Sequence, residues 1–113
     1  MAQGRLRASG EVPEGGLVWL MEGDEDSALD AAGQACRQAV DALGDAPPLG
    51  VVAFDCVSRF HLLGGAGIRR EADRMAGQCD GGPLVGLYTW GEIMRVRGLN
   101  GYHNHTVAVL AVG

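Results

Sequence analysis

Seven side chains in the second half of the chain carry most of its chemical options: Cys56, Arg59, Glu71, Tyr88, Thr89, Glu92 and Asn104. Arginine offers a planar fork that fits a carboxylate, glutamate accepts from an ammonium, and tyrosine, threonine and asparagine supply neutral hydrogen-bonding groups. If they converge, Arg59 and Glu92 with these neighbours match a small zwitterion such as an amino acid. A purely structural alternative pairs Arg59 with Glu92, or with Glu71, in an ion pair at the edge of a sheet. Cys56, at a strand end beside an arginine, suggests a nucleophile with Glu92 or a histidine as base. On these residues alone the structural pairing is favoured over ligand binding, with the cysteine-dependent enzyme a further alternative.

Other signatures fall away on inspection. The run Gly64-Gly65-Ala66-Gly67 lacks the Gly-Lys-Ser/Thr ending of a phosphate loop, and Ser58 lacks the flanking glycines of a nucleophile elbow. His103 and His105 are two apart at the start of the last apolar run, so on a strand both would share one face, but two imidazoles with no matching Cys or carboxylate spacing do not make a metal site. His61 stands alone. No cofactor is expected.

The elements that must place these groups can be read from periodicity. "GRLRASGEV" and "LVWLMEGD", joined by the turn cluster "PEGG", predict an N-terminal hairpin, with residues 1–11 either an edge strand or a flexible start. Leu29, Ala32, Cys36, Val40 and Leu43 recur at steps of three and four, which predicts a helix over about 27–43. Ser27 with Asp30 resembles a capping box at its start, and Asp24 to Asp26 suit the positive end of its dipole.

"GVVAFDCV" is almost continuously apolar, the pattern of a central strand buried on both faces. "SRFHLLGGAG" then predicts a loop. Ile68, Ala72, Met75 and Cys79 mark a second helical stripe that Glu71 borders, ended near "DGGP" by a left-handed glycine. "LVGLYTW" and "NHTVAVLAV", with "MRVRGLNGYH" as the loop between them, complete the order β-β-α-β-α-β-β. The expected fold is mixed α/β (α+β), a mixed sheet of about five strands with two helices packed on it. Ligands in such layered folds gather beyond the carboxyl ends of the strands, where Cys56, Arg59, Tyr88, Thr89 and Glu92 fall.

The totals bound the rest. The chain has 113 residues and fits a single domain spanning 1–113; 47% are hydrophobic and 20% charged, which is a globular and not a disordered composition. Net charge is -5 with no basic run beyond Arg69-Arg70, so nucleic acid is not an expected partner. The longest apolar run, Val107 to Val112, is too short to cross a bilayer of ~30 Å, and the N-terminus has no apolar targeting segment; a cytoplasmic address is the default expectation. Cys36, Cys56 and Cys79 are odd in number and widely spaced, which fits free thiols in a reduced compartment, Cys36 and Cys79 on apolar stripes.

Taken in order, "FDCVSR" (Phe54 to Arg59), Glu71 within a helix, "GLYTWGEI" (Gly86 to Ile93) and "HNHT" (His103 to Thr106) closely resemble the C-terminal part of the FIST domain, named for F-box and intracellular signal transduction proteins. The upstream "VPEGGLVWLMEGDEDSALDAAGQAC" resembles the strand and helix that precede the Cys-Arg element in that family, so the likeness runs from about Val12 to the end. It implies a sensory, signal-transducing domain that binds small ligands such as amino acids. Such proteins usually carry a long N-terminal FIST portion as well. The chain is thus expected to be a fragment, a truncated product or a half that needs a partner, either an N-terminal FIST half or another copy of itself, with assembly or scaffolding as the alternative role.

Overall fold

The computed structural model describes residues 4–8, 10–96 and 99–113. Its elements run α1 (Glu25–Asp41), β1 (Gly50–Cys56), α2 (Val57–Ala76), β2 (Leu84–Thr89), β3 (Glu92–Val96), β4 (Leu99–His103) and β5 (Val107–Val112). Mixed α/β class, two helices and five strands agree with expectation, but the strands are not the expected five. They divide into a three-stranded sheet, β2-β1-β5, and a separate ribbon, β3-β4. β1 is central as predicted, parallel to β2 and antiparallel to β5.

α1 forms because its apolar stripe and its cap agree. Leu29, Ala32, Cys36 and Val40 are buried on one face. The capping box sits one turn earlier than predicted: the Asp24 carboxylate accepts from the Ser27 amide at 2.9 Å and the Ser27 hydroxyl oxygen accepts from the Asp24 amide at 2.9 Å. From the stripe, Ala32, Cys36 and Val40 meet Val51 and Ala53 of β1 and Met75 and Cys79 after them, with Leu84, Val107, Val109 and Ala111 around this core.

Both helices lie on the same side of the sheet. The inward residues of β1 are Val51, Ala53 and Asp55, and Phe54 points away to solvent. β1 is therefore covered on one face, not on both, and Phe54, Val85, Leu87, Leu110 and Val112 form an open apolar face on the other.

Four further expectations are corrected. Among the described residues the N-terminal runs form no strand; the turn is made, Gly16 donating to the Pro13 carbonyl at 3.0 Å, but Leu17 to Met21 stay exposed. A two-stranded hairpin with nothing to pack on is marginal in water, so the local turn does not suffice. Residues 58–67 belong to α2 and not to a loop: Gly64, at φ 63 and ψ 179, absorbs a kink that only glycine takes freely, and helix continues on either side. Residues 94–96 and 99–103 belong to the β3-β4 ribbon, where Ile93 lies opposite Tyr102, an aromatic with β-branched pair that supports the ladder. The second helix also stops at Ala76, with the left-handed residues Asp80 and Gly81 in the turn beyond it.

Candidate functional site

β1 and β2 run in parallel, so their carboxyl ends lie side by side, and Asp55 and Cys56 stand opposite Tyr88 and Thr89. α2 starts at once after Cys56. One turn of helix brings Arg59 back over Asp55, and past the Gly64 kink the second part of the helix returns Glu71 to the same place. The arrangement is a buried ionic cluster: Arg59 is 3%, Asp55 4% and Glu71 1% exposed.

Arg59 Nε donates to Asp55 Oδ1 at 2.8 Å, and its Nη2 donates to the Ala28 carbonyl of α1 at 2.9 Å and to Glu71 Oε1. The structural pairing of Arg59 with Glu71 is thus realised, and Asp55, which the sequence reading passed over inside the apolar run "GVVAFDCV", is the second partner. The available signal was that lone carboxylate in a central strand, four residues before an arginine. Two oxygens of the cluster, Asp55 Oδ2 and Glu71 Oε2, are buried with no hydrogen-bond partner. Burial, with the Glu71 carboxylate beside it, pushes the Asp55 carboxyl up to about 7, against the opposing pull of Arg59. Burial likewise raises the Tyr88 hydroxyl to about 12, so it remains a protonated donor.

Asp55, Glu71 and Tyr88 line a cavity of about 240 Å³ between α2 and β2, whose other walls include Ala53, Ala72, Met75 and Gly86. Phe60 packs edge-on against the Tyr88 ring, centroids 5.1 Å apart.

Glu92 does not join this cluster. It is buried where β3 begins, and its two oxygens accept from Thr89 Oγ1 at 2.6 Å and Thr106 Oγ1 at 2.8 Å. Thr89 and Glu92 therefore brace the ends of β2, β3 and β5 against one another. Gly91, at φ 152, precedes it; the Tyr102 ring lies where a side chain at Gly91 would be, and the Tyr102 hydroxyl donates to the Trp90 carbonyl at 2.8 Å.

Cys56 faces another environment. Its sulfur accepts from the Ser58 hydroxyl at 3.1 Å, and Ser58 Oγ lies 2.9 Å from His105 Nδ1. His105 sits in a bend at φ 58 and His103 at the end of β4, so the two do not share one strand face. Asn104 and His105 join Arg59, Leu62 and the start of α1 around a wider cleft of about 800 Å³. Of the seven predicted residues the fold brings Glu71 and Tyr88 to one cavity, bonds Arg59 to Glu71 from behind, joins Thr89 to Glu92, sets Asn104 with Arg59 on the wider cleft, and leaves Cys56 with Ser58. Among the described residues no three His, Cys, Asp or Glu side chains come together as a metal ion would require, and no helix is long and apolar enough to cross a membrane.

A family model described as FIST C domain matches residues 1–95, which covers α1, β1, α2, β2 and most of β3. No curated protein and no solved structure matches the chain.

Proposed function

Given that the chain belongs to the FIST C domain family, a family of sensory-type signal-transduction domains, we propose that it is a small-ligand-binding sensory domain that takes an amino acid or a similarly small metabolite at the carboxyl ends of β1 and β2. The observation that carries the reading is the pair of buried, unpartnered carboxylate oxygens on Asp55 and Glu71 at the wall of a cavity. A buried acceptor without a partner costs ~1–3 kcal/mol, and a ligand donor would recover that. Tyr88 faces the same cavity with its hydroxyl protonated. Arg59 holds both acids, Thr89 and Glu92 brace the neighbouring strand ends, Asn104 lies on the wider cleft with Arg59, and Cys56 ends β1.

Thermal-shift measurements on the whole chain with amino acids and other small metabolites test this. A ligand at a hundred times its dissociation constant adds ~2.7 kcal/mol to stability. An unchanged melting temperature across the panel refutes the proposal.

A second reading, assembly, is favoured by one observation: among the described residues nothing forms a layer over the apolar outer face of Phe54, Val85, Leu87, Leu110 and Val112. Another copy of the chain or an N-terminal FIST portion would cover it. Sedimentation of the chain alone and mixed with such a portion separates the two, and a monomer in both experiments removes the assembly role.

A further inference from the structure

We propose that the cavity between α2 and β2 takes a small organic monocation, an ammonium or amidinium head on a compact apolar body, with the free oxygens of Asp55 and Glu71 receiving the head. This inference rests on the reading of the site as a small-ligand pocket and narrows it to amines that carry no carboxylate beside the charged nitrogen.

Charge comes first. Asp55 and Glu71 bring two carboxylates and Arg59 one guanidinium, all nearly sealed from water. The Arg59 contacts account for one oxygen of each acid and leave the other with no donor among the described residues except the proton that Asp55 holds beside Glu71. One more positive charge balances the cluster, and a negative one does not. Among the described residues a ligand carboxylate would find no cation on the lining: beside Asp55, Glu71 and Tyr88 the walls are apolar, with Ala53, Ile68, Ala72, Met75, Leu84 and Gly86.

Shape points the same way. At about 240 Å³ the space is smaller than a pocket for a drug-sized ligand. It exists because the wall residues opposite α2 are small. A Cβ added at Gly86 would meet only Ala53 at 3.6 Å, an ordinary contact, so a larger side chain there would grow into the cavity without strain.

The empty site has a substitute for the cation. The charged and titratable groups facing Asp55 are Arg59 and Glu71 of α2 and Tyr88 of β2, and their balance with burial keeps a proton on Asp55 up to near neutral pH. A bound ammonium replaces that proton. Binding should release protons into the buffer and weaken on acidification.

Three compounds that share one branched carbon body decide the matter: isobutylamine as the cation, valine as the zwitterion and isovalerate as the anion. Each is titrated into the full chain while amide resonances are followed by NMR at about pH 8 and about pH 5. The expected result is saturable shifts in residues 53–55, 71–75 and 84–88 with isobutylamine, an affinity at least about tenfold weaker at the lower pH, and at least tenfold weaker binding of valine and isovalerate. Gly86→Val, which fills the cavity and leaves both acids in place, should lose the binding and stay folded, and Glu71→Gln should lose most of it. Valine binding there as tightly as isobutylamine overturns the cation inference while the small-ligand reading stands. No binding by any of the three overturns the inference too, and a flat thermal-shift panel alongside it removes the broader reading as well. Isobutylamine shifts that survive in Gly86→Val also overturn it, because the amine then binds elsewhere.

Discussion

Replacing Arg59 with methionine tests the account of the buried cluster most directly. Methionine keeps much of the length of the side chain and removes its charge and all its donors. The Nε bond to Asp55, the Nη2 bond to Glu71 and the 2.9 Å bond to the Ala28 carbonyl are lost together, at a position 3% exposed. Two carboxylates would then be buried with no counter-charge. Removing one partner of a buried ion pair costs ~3–5 kcal/mol, a large share of the ~5–15 kcal/mol that holds a domain together. At ~4 °C per kcal/mol for a chain of this length, melting should fall by roughly 12–20 °C near pH 8. Acidification should shrink the loss, because protonating Asp55 removes one of the two orphaned charges. Urea unfolding followed by circular dichroism at about pH 8 and about pH 5 measures both effects. Arg37→Met is the control: Arg37 also bonds two carboxylates, Asp41 and Asp80, but at an exposed site where water screens the pairs, so its loss should be a small fraction of that of Arg59→Met. An Arg59→Met loss as small as that of the control, or equal at both pH values, refutes the reasoning.

Asp55 has a folded pKa above its unfolded value, so the folded state holds the extra proton between about pH 4 and about pH 7. Its contribution to stability is complete below that window and declines through it, by up to ~1.4 kcal/mol per pH unit; Asp55→Asn should flatten this part of the stability-pH curve measured by denaturant titration. Asp24→Ala removes the side-chain half of the α1 capping box and should lower the midpoint of chemical unfolding, with the rest of the spectrum preserved. Gly91→Ala demands φ 152 of an L-residue and drives a methyl into the Tyr102 ring, so the packing of Tyr102 on the Trp90–Gly91 turn should be lost, seen as disappearance of the Ile93–Tyr102 cross-strand NMR contacts.

Much of the frame was legible because it depends on neighbours a few residues apart. The steps of three and four through Leu29, Ala32, Cys36 and Val40 determined a helix face, and the apolar run before Cys56 determined a central strand. What failed in the reading depended on distant partners. The turn at "PEGG" is present without its hairpin, since pairing needs a surface to pack against. The glycines after Leu63 suggested a loop, yet a single residue, Gly64, takes the whole departure and the helix resumes. The strands β3 and β4 were hidden in a glycine-rich stretch because the ladder between them, and not propensity, makes them strands.

For the site the division is sharper. The sequence by itself determined the donors and acceptors available at the strand ends, and its motifs indicated the family. Only the tertiary structure decided who meets whom: Arg59 turns inward to Asp55, Glu71 and the Ala28 carbonyl, and Glu92 goes to Thr89 and Thr106. The physical reason is desolvation. Periodicity reports which side of a helix or strand is apolar, but whether a carboxylate keeps a counter-charge, a proton or a free oxygen depends on groups brought together from α1, β1, α2 and β2 after water has left. The unpartnered oxygens of Asp55 and Glu71 exist only at that level.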